Sequence, residues 1–211
     1  MPDARRVLDP KDTQVKISRF WDISNYYVRD MTMKKVAFLG AGLMFVSVAA
    51  NAISFNGSAG QDYTHLGFGL GTETSGLAMT GGWTHNDDDG DAASLGLGLN
   101  VPLGPFLATV GGKGIYTNPN DGDEGYAAAV GGGLQWKIGD SFGLFGEYYY
   151  SPDSLSSGID SYQEANAGAR WTIMRPVTIE AGYRYLNLAG KDGNRDNALA
   201  DGPYVGVSAG F

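Results

Sequence analysis

Apolar side chains at every second position, with glycine or a small polar residue between them, recur through most of this 211-residue chain. In the stretch 92–101, Ala93, Leu95, Leu97, Leu99 and Val101 alternate with Ser94, Gly96, Gly98 and Asn100. A period of two places the two sets on opposite faces of a strand. Ten segments carry the pattern: 53–60, 65–72, 77–84, 92–101, 106–116, 126–137, 142–150, 162–173, 177–186 and 204–211. Each is roughly ten residues long and bounded by turn residues, the sequence signature of a transmembrane barrel.

The connections fall into two alternating classes. Short ones are 73–76, 102–105, 138–141 and 174–176; the others are 61–64, 85–91, 117–125, 151–161 and 187–202. Short periplasmic turns and longer external loops distinguish the two ends of outer-membrane barrels. With both termini periplasmic the strand number is even. Ten strands satisfy this, and eight would if the first two segments did not pair. A soluble ligand-carrying barrel is apolar inside and polar outside; here the non-apolar face is glycine, serine, asparagine and charge, the inverse arrangement. An open sheet in hydrocarbon would leave edge N–H and C=O groups unpaired at several kcal/mol each, so the sheet must close. The predicted fold is all-β, a single closed antiparallel transmembrane β-barrel.

Aromatic residues give an independent reading. On this topology Trp83, Tyr116, Tyr126, Tyr183 and Tyr185 lie toward the external ends of the apolar face, and Trp136 and Trp171 toward the periplasmic ends. Aromatics favour strands in general, but clustering at strand ends fits girdles at the two membrane interfaces.

Both ends of the chain fit export. Met33-Lys-Lys precedes the apolar run 36–50 and a small-x-small site at Ala50 and Ala52, with Ile53 as the first mature residue. That is the anatomy of a cleaved signal peptide, and the apolar run is shorter than the about 20 residues of a spanning helix. Residues 1–32 are a polar preface with no apolar period, read as upstream sequence ahead of a true start at Met33; a long n-region is the alternative. The last strand, 204–211, resembles the closing strand of outer-membrane barrels. Its Tyr204, Gly206 and Phe211 fit the pattern addressed to the barrel assembly machinery of that membrane.

The mature segment 53–211 has 159 residues and holds 31 of the 33 glycines. Glycine follows no three-residue register, which excludes collagen. Cysteine is absent, as suits an exported protein stabilised by its barrel rather than by disulfides. Seven basic residues against 18 acidic ones give this segment a net charge of −11, which argues against nucleic acid. The expected surroundings are outer-membrane lipid and lipopolysaccharide.

From Met33 to Phe211 the chain is similar to the YfaZ family of bacterial outer-membrane proteins. The likeness is carried by Met33-Lys-Lys-Val-Ala-Phe, Ile53-Ser-Phe-Asn-Gly-Ser, Gly132-Gly-Leu-Gln-Trp136, Glu180-Ala-Gly-Tyr-Arg-Tyr185 and the terminal Gly-Phe211. The resemblance implies an envelope barrel and brings no catalytic motif or cofactor.

Among chemistry-bearing residues, Lys113, Lys137, Glu147, Glu164, Arg170, Glu180 and Arg184 occupy inward faces. Charges in a narrow lumen must be paired or hydrated. Two readings stand: a structural plug of ion pairs, or the selectivity lining of a narrow pore. Small barrels are filled by side chains and open channels need about 16–18 strands, which favours the plug. The acidic stretches 87–91 and 118–124 invite a calcium loop, but counting from Asp87 puts Ala92 at position six and Gly98 at position twelve, where glycine and glutamate are required. His85 with Asp87 and Ser94 forms a nominal hydrolase trio without a nucleophile elbow, so no catalytic, metal or cofactor residue is assigned.

Overall fold

The computed structural model describes residues 53–211; the expectations for residues 1–52, including the cleavage-site residues Ala50 and Ala52, lie outside them. The described residues form ten long strands and one short one. They are β1 Ile53–Gly60, β2 Tyr63–Leu70, β3 Gly76–Asn86, β4 Gly90–Leu103, β5 Phe106–Pro119, β6 Gly125–Ile138, β7 Phe142–Ser151, β8 Ser156–Ser157, β9 Ile159–Met174, β10 Val177–Gly190 and β11 Asn197–Gly210. Each long strand pairs antiparallel with its chain neighbours, and β1 pairs with β11 from Ser54↔Gly210 to Gly60↔Tyr204, so the sheet closes. β8 is a two-residue addition to the external end of β6. The barrel therefore has ten staves, and the eight-stranded alternative fails because β1 pairs on both sides.

Closure is completed at the chain terminus. The N–H of Phe211 donates to the Ile53 carbonyl at 2.8 Å and the N–H of Ile53 donates to the Phe211 carbonyl at 3.0 Å. The outward band is bare hydrocarbon: Leu77, Leu97, Val110, Val130, Val205 and Val207 are all exposed. An apolar belt of this extent is a membrane-facing surface.

The strand bounds depart from the alternation in two informative places. β2 starts at Tyr63 and ends at Leu70, because Gly71 turns at φ +66°, in the left-handed region that favours glycine. The span 187–202, expected as the longest loop, is mostly ladder: β10 and β11 stay paired out to Leu188↔Asn197, leaving only 191–196 as loop. Leu188 and Leu199 are fully buried there, so apolar packing inside the barrel extends the hairpin beyond the membrane band. A register shift between Leu186 and Leu188 accommodates the extension.

Candidate functional site

The lumen is built in three layers. At the external end a ring of apolar side chains from different strands packs into one buried cluster: Tyr63 of β2, Ile115 of β5, Tyr162 of β9, Leu188 of β10 and Leu199 of β11, each no more than 5% exposed. Above it the loops are tied together. Arg195, from the β10–β11 loop, reaches the Asp88 carbonyl at 3.1 Å, Asp89 at 3.3 Å and Asp121 at 3.5 Å, so it bridges two other external loops.

The middle layer is ionic. Lys113 of β5 donates to Glu164 of β9 at 2.8 Å, and the Tyr162 hydroxyl donates to the same carboxylate oxygen at 2.9 Å. The Lys113 ammonium also lies 3.9 Å from the centroid of the Tyr149 ring. β5 and β9 are separated by β6 and β7, so this pair crosses the lumen. Nearer the periplasm Arg170 pairs with Glu180 across β9 and β10 at 3.4 Å and donates to Gln135. Arg184 stacks over Tyr204, 5.3 Å from ring centroid to guanidinium carbon, and Glu147 accepts a bond from Asn166 at 3.2 Å.

At the periplasmic mouth the β2–β3 turn, 71–75, bends over the opening. Asn100 donates to the carbonyls of Gly71 and Thr74, and Gln135 donates to the Thr72 carbonyl across the barrel at 3.0 Å. Lys137 pairs with Glu73 at 3.0 Å, both side chains more than half exposed. Lys137, expected among the enclosed lumen charges, is thus a mouth residue: β6 is almost spent at that level, and its inward position there faces water.

A family model described as YfaZ precursor matches residues 33–211. The chain belongs to the YfaZ family. It is 77% identical over 180 residues to the outer membrane protein YfaZ of Escherichia coli (strain K12), a match covering 85% of this chain and 100% of that relative. Two solved structures resemble it more distantly: the NanC porin, at 8% identity, 77% and 99% coverage of the two chains and a TM-score of 0.44, and the translocator domain of the autotransporter NalP from Neisseria meningitidis, at 15% identity, 89% and 98% coverage and a TM-score of 0.35. This YfaZ-family chain is therefore an outer-membrane β-barrel protein made as a precursor.

The other sequence-selected residues fall as follows in the YfaZ-family barrel. Tyr116, Tyr126, Tyr183, Trp136 and Trp171 are exposed on the outer wall, while Trp83 and Tyr185 are half-buried. Tyr116 and Tyr183 turn their hydroxyls to Glu124 and Asp201, each at 2.6 Å, apolar ring below and polar tip above, as the interface requires. Of the terminal residues, Phe211 is exposed, but Tyr204 turns into the lumen and donates to Asn166 at 3.0 Å. Gly206 sits where a Cβ would lie 2.8 Å from that of Ser58 and 2.9 Å from the Gly57 carbonyl, so its place in the folded barrel follows from close strand packing.

The hydrolase trio does not assemble. His85 stands on the outer side, stacked on Trp83 at 5.5 Å, with its ring nitrogens against Asp91 at 2.9 Å and Asp87 at 3.1 Å. Ser94 lines the lumen. The acidic loops likewise bring together no group of three or more metal-ligating side chains among the described residues. The external apolar ring lies outside the sequence-selected residues; its signal is Leu186 and Leu188 continuing the inward parity of Glu180 and Arg184.

Proposed function

We propose that this protein is a non-conducting barrel whose lumen is sealed by its own side chains and which acts through its surface rather than as an enzyme or a general pore. The observation that carries this reading is the external apolar ring, backed by the Lys113–Glu164 pair spanning the lumen. A hydrated ion crossing that ring would shed its water among leucine, isoleucine and tyrosine with no compensating ligand. The face left for interaction is the acidic external rim carried by 87–91, 121–124 and 191–196. Its chemistry suits lipopolysaccharide head groups bridged by divalent cations; delivery to the membrane by the barrel assembly machinery fits the closing strand.

Refolding residues 53–211 into a planar bilayer and recording current tests the reading. A folded barrel without discrete current steps is the expected result. Steps whose ion preference changes in Glu147→Gln would replace it with a narrow ion or solute channel.

A further inference from the structure

Below the apolar ring lies a cavity of about 190 Å3. Its lining includes Ser54 and Ser208 near the periplasmic strand ends and Glu73 of the mouth turn, whose side chain is half exposed. The cavity is thus reached from the periplasm and ends blind beneath the ring.

One rung of its wall holds an unusual charge arrangement. Glu147 of β7 faces Asn166 of β9, and Asn166 faces Arg184 of β10, so the three side chains lie side by side at one level. Neither charged end has an ion-pair partner among the described residues. Arg184 is buried, and its Nε and Nη1 have no hydrogen-bond partner among the described residues. The carboxylates near it each pair with another cation, Glu164 with Lys113 and Glu180 with Arg170, and neither accepts a hydrogen bond from Arg184. The Asn166 amide does not serve it either, since its oxygen accepts from Tyr204 and its nitrogen donates to Glu147. Glu147 in turn has that amide contact but no ion-pair partner among the described residues. Buried donors left unmade are uncommon and call for a partner.

We propose that this rung binds a small zwitterion of the amino-acid type, its carboxylate on Arg184 and its ammonium on Glu147. Charge balance selects the class. Lys113, Arg170 and Arg184 are matched by Glu147, Glu164 and Glu180 around the cavity, and the fourth carboxylate of its lining, Glu73, is paired with Lys137 at the mouth. A simple anion would gain Arg184 and meet unpaired Glu147; a simple cation would suffer the reverse. A zwitterion satisfies both and leaves the net charge of the lumen unchanged. Geometry agrees: two interstrand spacings put the Glu147 and Arg184 backbones about 10 Å apart, and Glu147, Asn166 and Arg184 all line the cavity, so a compact molecule lying over Asn166 reaches both charged ends. The volume, roughly six waters' worth, holds a compact molecule, and Asn56, Thr80 and Ser94 in the cavity lining favour a small or polar side chain on it.

The test uses the mature barrel in uncharged-detergent micelles with isotope-labelled arginine, the Arg184 Nε–H signal being identified by its loss in Arg184→Lys. Titration is with L-alanine, acetate and methylammonium. L-alanine is expected to move that signal and to bind at least about tenfold more tightly than either half-molecule, as two charge-assisted contacts exceed one. In Glu147→Gln, whose fold is checked by heat-modifiable gel mobility, L-alanine should lose that advantage and bind no better than acetate. Equal binding of acetate and L-alanine by the parent would reduce the rung to an anion site and overturn the proposal. So would an Arg184 signal that no ligand moves.

Discussion

Lys113 and Glu164 meet at 2.8 Å across the lumen, from strands that are not neighbours. Both side chains are less than 10% exposed, so each charge depends on the other. Breaking a buried pair from one side leaves an uncompensated charge, at a cost of about 3–5 kcal/mol, whereas replacing both ends with apolar groups is close to neutral. Lys113→Met and Glu164→Leu are each expected to lose about that much, and the combined Lys113→Met/Glu164→Leu much less than the sum. Urea unfolding from lipid vesicles measures it. Strictly additive losses would show that the two charges do not interact in the folded barrel.

The apolar ring makes a separate prediction. Leu188 and Leu199 are fully buried at the external end of the lumen. Shortening either to alanine should cost about 2–5 kcal/mol, from lost burial and the cavity left behind. Removing both should also thin the seal. Leu188→Ala/Leu199→Ala is expected to pass small ions in planar bilayers where the parent does not. A folded, silent double variant would place the seal higher, in the loops tied by Arg195.

The staves were legible because membrane barrels enforce period-two alternation wherever one wall meets lipid, and all ten segments show it. What alternation could not reveal is where the inward face changes character. Along β10 the inward positions run from Glu180 and Arg184 to Leu186 and Leu188, and polar–apolar contrast vanishes just where the strand leaves the membrane. There the sequence reads as loop although the ladder continues. The β11 partner adds a register shift between Leu186 and Leu188, which erases the remaining periodicity. The periplasmic mouth turn is illegible for another reason. The carbonyl of Thr72 is held by Gln135, 63 positions away, and no local pattern encodes that contact. The lumen charges were visible as a set, but their pairing was not: a sequence cannot say that Lys113 reaches across to Glu164 while Arg184 is left beside an amide already occupied.

His85 sets a pH response at the external rim. It stands two residues beyond the interfacial Trp83, and its hydrogen bond to Asp91 holds its pKa above the ordinary histidine value against the opposing effect of burial, with lesser support from Asp87. Because the folded value is the higher one, the contribution of these contacts is complete below the unfolded value of about 6.5 and is lost as pH rises through the folded value. Asp91→Asn should return the histidine titration, followed by NMR, toward the ordinary value. The β3–β4 loop amides should lose protection, relative to their intrinsic exchange rates, above that transition. An unchanged titration in Asp91→Asn would show that the carboxylate does not hold the ring.

Phe211 separates assembly from stability. Its side chain is 75% exposed on the lipid-facing wall, while the bonds that close the barrel come from its backbone N–H and carbonyl. Phe211→Ala keeps both bonds and loses only the transfer of one ring from water to lipid, so unfolding from vesicles should shift by about 1.5–3 kcal/mol without loss of the folded barrel. If the terminal aromatic is read by the assembly machinery, the amount of heat-modifiable barrel recovered from outer membranes should nevertheless fall several-fold. Comparing the two measurements on one variant discriminates recognition from packing. Parallel losses would make Phe211 a structural residue, and normal recovery would remove it from the assembly signal.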